Sequence, residues 1–124
     1  MASESNGVWG QAVRVPGLAA LNTGEDAGVS WVSCGAAGNC SAAGYYLTMI
    51  NNAWHHQGFV VSERNGVWGN AIKVPGLGVL DGGGTGLGEL TSVSCGAPGN
   101  CSAVGDYLNY HSPPSGGGFV ASQS

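Results

Sequence analysis

One cysteine-bearing stretch occurs twice, and it limits the possible folds more than any other feature of the chain. It reads VSCGAAGNCSAAG from Val32 to Gly44 and VSCGAPGNCSAVG from Val93 to Gly105. Each copy runs from a β-prone segment into a cysteine, across a five-residue Gly/Ala/Asn turn to a second cysteine, and on into small residues. Two antiparallel strands joined by a tight turn bring such cysteines opposite each other. The spacing therefore predicts disulfides Cys34–Cys40 and Cys95–Cys101, short clasps that each constrain the unfolded chain by about 2.4 kcal/mol. Disulfides at matched spacings imply an oxidising compartment, and the expected location is secreted and extracellular.

The repetition extends beyond the cysteines. SESNGVWGQAVRVPGL (Ser3 to Leu18) returns as SERNGVWGNAIKVPGL (Ser62 to Leu77), identical at 12 of 16 positions, and GFVVS (Gly58 to Ser62) returns as GFVAS (Gly118 to Ser122). The unit is about 60 residues long and present twice. Four strands read into one unit: Val29 to Cys34, Cys40 to Leu47, Phe59 to Glu63, and Val67 to Val74, with Asn65-Gly66 as a hairpin turn and Pro75-Gly76 as the stop. A four-stranded antiparallel meander at this period predicts an all-β chain of two β-propeller blades. Small residues on both alternating faces of Cys40 to Leu47 agree, because a sheet between two neighbours has no solvated face.

The order of segments predicts how the blades are completed. Residues 1–18 read as the last strand of a blade, 28–77 as a first repeat, and 90–124 as a second repeat without its last strand, all within a single propeller segment, 1–124. The strand Val8 to Val15 and the strand Phe119 to Ser122 are the two halves of one hairpin. Two blades do not close a circle, and open edges invite pairing with another chain. The expected assembly is a homotrimer of six blades, with a tetramer of eight as the alternative.

The pattern NGxWGxAxxVPG, SVSC, GNCxAxGxY and GFVxSExNG, carried by Asn6 to Gly17, Val32 to Tyr46, Phe59 to Gly76, Val93 to Tyr107 and Phe119 to Ser122, resembles a secreted actinobacterial repeat family. That resemblance implies secretion and repetition but no particular activity. The segment Ser62 to Trp68 is similar to a shortened Asp-box of sialidase-type propellers, with Arg64 where the aspartate would stand, so no sialidase activity follows. In arrangement the chain is similar to small lectins that build a six-bladed propeller from three two-bladed subunits.

Composition excludes several functions. A net charge of −4 with three basic residues offers no footprint for nucleic acid, and neither a polybasic membrane patch nor an apolar run of spanning length is present. Met1 to Gly10 lacks the regions of a signal peptide, so the chain reads as a mature form. Not an enzyme is the expectation: Glu25, Asp26, Asp81 and Glu89 read as solvated loop charges, although Glu25 with Asp26 is the one pair a glycosidase would draw on. No metal or other cofactor is expected, since adjacent His55 and His56 diverge on an extended backbone and the glycine run Gly82 to Gly88 lacks a lysine and a helix.

Trp9 and Trp68 recur at equivalent positions and read as packing. Trp31, which aligns with Ser92, and Trp54, within INNAWHHQG, break the repeat. The segments Tyr46 to Gln57 and Tyr107 to Ser115 differ between repeats and combine aromatic with polar side chains. Rings that stack on a pyranose and amides or imidazoles that meet its hydroxyls point to a lectin-like module binding glycans at weak, multivalent sites. The candidate carbohydrate-binding residues are Tyr46, Asn52, Trp54, His55, His56 and Trp31 in the first repeat, and Tyr107, Asn109, Tyr110 and His111 in the second. The alternative is a structural or protein-interaction propeller without a small ligand.

Overall fold

Asparagine and glycine in the left-handed region set the strand order. Asn6-Gly7 and Asn65-Gly66 both turn with positive φ at both residues (51° and 79°, 51° and 83°), the conformation a two-residue hairpin needs. The computed structural model describes residues 1–22, 26–50, 52–77, 87–109 and 115–123, with backbone alone for residues 5, 50, 53, 109 and 115. In chain order the elements are β1 (Glu4–Ser5), β2 (Val8–Trp9), the single turn α1 (Leu18–Leu21), β3 (Ala27–Ala36), β4 (Asn39–Ile50), β5 (Ala53–Arg64), β6 (Val67–Trp68), β7 (Ile72–Lys73), β8 (Leu87–Ala97), β9 (Asn100–Asn109) and β10 (Ser115–Gln123). The fold is all-β, with two antiparallel sheets. Sheet 1 runs β3-β4-β5 with β6 and β7 both pairing β5, and sheet 2 runs β8-β9-β10. Among the described residues no helix is long and apolar enough to cross a membrane.

Both predicted disulfides form, each between directly opposed residues of its hairpin. They fit an oxidising environment. The turn between them is tighter than the sequence reading: Ala36 pairs with Asn39, leaving two residues, with Gly38 at φ 71°. The fourth strand of the first repeat is also different, being split into β6 and β7 around Gly69 and Asn70. Gly69 still donates its backbone N–H to the Ser62 carbonyl at 2.9 Å, so the ladder bends without being lost. Likewise, only Val8–Trp9 of the predicted strand Val8 to Val15 is strand, and it pairs with Glu4–Ser5 of its own chain.

The repeat governs packing as well as topology. Pairing parity assigns each strand residue to a face. The back of sheet 1 carries Ser33, Ser41, Ala43 and Val60; the front of sheet 2 carries Leu90, Val93, Cys101, Ala103 and Phe119, and these two faces meet. Val74 and Leu77, just beyond β7, wedge between them, and Leu77 fills the space that Gly58 and Gly88 leave empty. A polar seam closes the join: Cys95 donates its backbone N–H to Ser33 Oγ at 3.1 Å, the Ser41 hydroxyl lies 3.3 Å from Cys101 Sγ, and Gln123 donates to Ser62 Oγ at 3.4 Å. The front of sheet 1 has a second cluster, Ala42, Tyr46, Phe59, Val61 and Ala71, covered in part by Met1, Val15, Leu18 and Leu21. Ala42 and Ala43, neighbours on opposite faces of β4, are both fully buried, as a sheet covered on both sides requires.

Two outcomes test this account. Replacing Cys34 and Cys40 by serine should lower unfolding free energy by about 2.4 kcal/mol and leave the fold intact, read by denaturant titration. Leu77→Ala should cost about 2–5 kcal/mol, because the cavity opens between two sheets that share that side chain.

Candidate functional site

Residues 46–50 and 53–57 are strand. β4 and β5 continue as a hairpin, paired from Ser41↔Ser62 to Ile50↔Ala53, so Trp54, His55, His56 and Gln57 are strand residues. Asn52 occupies the turn at φ 63°, where asparagine is tolerated far better than a β-branched residue, and that backbone duty accounts for it. The strand period then divides the candidates. Trp54 and His56 share the back face with Met49, Leu47 and Tyr45, while His55 and Gln57 share the front face with Tyr46. The adjacent histidines therefore point to opposite sides.

Tyr46 is core: only 1 % of it is exposed, and it packs with Phe59 and Val61. It is withdrawn from the predicted binding surface. Trp31 is exposed and lies on the same face as Trp54, yet it pairs with Ala43 whereas Trp54 pairs with Met49. Six residues of strand, about 20 Å, separate the two. Trp31 and Trp54 cannot serve one small ligand. Asn109 ends β9 with only its backbone described, and Tyr110 and His111 lie outside the described residues, as do Glu25 and Asp81.

What remains is a cleft at one end of the join between the sheets. It measures about 230 Å³ and is lined by His56 from sheet 1 and by Leu87, Gly88, Glu89, Asp106, Tyr107 and Leu108 from sheet 2. His56 stacks on Tyr45, with centroids 5.4 Å apart and planes 27° apart. Gly28, opposite Tyr45, leaves the space that the tyrosine ring covers. Tyr107 and Gly88 form a cross-strand pair facing sheet 1, whereas Glu89 and Asp106, the next pair along, belong to the other face and sit at the rim. Trp54 stands two residues from His56 on the same face, about 7 Å away, with half of its surface exposed. A volume below the ~300 Å³ of ordinary ligand pockets has room for one ring.

Sequence reasoning found His56, Trp54 and Tyr107 but not Tyr45 or the rim carboxylates. Tyr45 aligns with Asp106, so that position also breaks the repeat, and the substitution was the available signal. No three of His, Cys, Asp and Glu among the described residues gather as a metal site would. Comparison with protein-family models, with curated proteins and with solved structures finds no match.

Burial separates the two aromatic candidates experimentally. Tyr46→Ala should cost about 3–5 kcal/mol of stability, the range for emptying a buried aromatic position. Trp54→Ala should shift the melting temperature by no more than a degree or two, since an exposed side chain has little packing to lose.

Proposed function

We propose that the chain is a segment of a secreted β-propeller, its two sheets acting as neighbouring blades, and that it binds carbohydrate weakly at sites repeated around an assembled ring. The blade reading is supported by the face-to-face contact of sheets built from equivalent residues, with the small residues of β4 buried on both sides. Three chains would complete six blades. The binding reading is carried by one observation: Trp54, His56 and Tyr45 share a face of a rigid hairpin, beside Tyr107 across the cleft.

A pyranose laid on this surface would offer its C–H face to the Trp54 indole, worth on the order of 1 kcal/mol per ring. Its hydroxyls would meet the His56 imidazole and the Tyr107 hydroxyl, with the Glu89 and Asp106 carboxylates accepting hydrogen bonds at the rim. No lysine or arginine lines the cleft, and two carboxylates would repel an anion. A neutral sugar is therefore favoured over an acidic one. One such site is weak; several on one rigid ring gain avidity when they engage a surface together. No covalent chemistry is assigned to it.

A second reading, a protein-interaction propeller without a small ligand, draws support from exposed Val8, Trp9, Val67 and Val120. A glycan array separates the two. The wild-type chain should bind immobilised neutral glycans, and Trp54→Ala and His56→Ala should each reduce the signal at least tenfold with unchanged melting temperature. Binding that survives both substitutions would remove the sugar site from this surface. An array with no signal, together with a normally folded chain, would favour the interaction reading.

A further inference from the structure

The two apolar clusters share a set of equivalent residues. Val74, Leu77, Ala103, Phe119 and Tyr107 around sheet 2 correspond to Val15, Leu18, Ala42, Phe59 and Tyr46 around sheet 1. Sheet 1 also packs Trp68 and Ala71, delivered by its own fourth strand. Sheet 2 has no counterpart among the described residues; at that point lies a largely apolar groove of about 730 Å³, lined by Val60, Ile72, Val74, Ala103, Ala121 and Gln123 among others. Along the groove runs β10, whose outer edge is unpaired among the described residues. The repeat supplies residues equivalent to Trp68 and Ala71: they are Trp9 and Ala12. Trp9 is 66 % exposed.

We infer that this groove receives residues Val8 to Arg14 of a second copy of the chain, which complete sheet 2 as its fourth strand. Sheet 1 supplies the register. Glu63 pairs with Trp68, Val60 with Ile72, and Phe59 with Lys73, so Gln123 pairs with the second copy's Trp9, Val120 with its Val13, and Phe119 with its Arg14. In sheet 1, Ala71 donates its N–H to the Pro16 carbonyl at 2.7 Å; the equivalent bond runs from the incoming Ala12 to Pro75, beside the groove. The outer faces agree with this docking. Val29 and Val32 on the front of sheet 1 are exposed, although their counterparts Leu90 and Val93 are buried in the join. Ser94, Ser102 and Ser122 on the back of sheet 2 repeat the seam residues Ser33, Ser41 and Ser62, and would meet the second copy's Cys34, Cys40 and Glu63.

Met1 to Ser5 hold that position in the isolated chain. Val13 donates its N–H to the Met1 carbonyl, the Met1 ammonium donates to the Val13 carbonyl, and Gly10 donates to the Ser3 carbonyl. These bonds match Val60 with Ile72 and Ser62 with Gly69 in sheet 1. Met1 to Ser5 thus pair with β2 and Val13 in the place that β10 of the receiving copy would take, and must leave for the exchange to occur.

This inference rests on the blade reading above and not on the sugar site. Its test mixes a Val13→Cys chain with a Val120→Cys chain under mild oxidation. A disulfide-linked heterodimer on a non-reducing gel is expected, because opposed strand residues stand within disulfide range. Light scattering then compares three full chains. Val120→Pro should keep the melting temperature, since parity turns its N–H away from β9, and should weaken assembly at least tenfold. Removing Met1 to Ser5 should lower the concentration needed for assembly at least tenfold. Assembly without the mixed cross-link, or unaffected by Val120→Pro, would overturn the strand exchange and leave the blade reading standing. A chain that stays monomeric at every concentration, with or without Met1 to Ser5, would overturn both.

Discussion

A sheet built from small, uncharged residues on both faces must be covered twice, and the rest of the structure depends on how that cover is found. β4 is the clearest case: Ser41, Ala42, Ala43 and Gly44 in succession are all buried, so both faces of that stretch are covered. The back finds sheet 2, and the front finds the N-terminal segment. The join behind depends on Leu77, just past a Pro-Gly turn, with Gly58 and Gly88 opposite to admit it, and its repeat equivalent Leu18 packs on the front cluster. The join between the sheets is thus built largely from positions that the repeat carries twice.

The duplicated segments made much of this legible. The cysteine spacing, the Asn-Gly turns and the strand count of each repeat describe local chemistry, and local chemistry repeats wherever the sequence does. The length of the β4–β5 hairpin was not legible, because Thr48 to His56 is polar and aromatic in the way that a loop often is. Only its pairing shows it to be strand, and strand parity then sorts its side chains. Tyr46 and His55 go to one face, Tyr45 and His56 to the other. A site drawn from neighbours in sequence therefore contained residues that never meet. The split of the last strand at Gly69-Asn70 escaped as well, since Val67 to Val74 alternates well enough for one continuous strand.

Placing the candidate surface on strands changes what it can do. A loop must lose conformational freedom when it binds, at a cost that weak ligands rarely overcome. The back face of the β4–β5 hairpin has already lost it, through ladder pairing from Ser41 to Ile50. Trp54 and His56 are held in register by the same bonds that hold the core, and Tyr45 fixes the imidazole by stacking. Such a surface would gain little per contact but lose little conformational freedom on binding.

The same join also bears on how an assembly of these chains would end. A front-to-back interface is heterologous, and such interfaces run on as fibres unless the rotation between units closes. β8 lies against β3, β4 and β5, whereas β10 joins the cluster through Phe119, reaches Ser62 through Gln123 and borders the open groove along its outer edge. The space between the sheets is closed beside β3 and β8 and open along part of β10. Under the proposed strand exchange, the angle between neighbouring sheets sets whether copies close into a ring or run on as a rod. In the proposed exchange, a fourth strand entering the groove would fill that open side and fix the angle between neighbouring sheets. The residues that fill it, led by Trp9, would then determine whether a ring of these units closes.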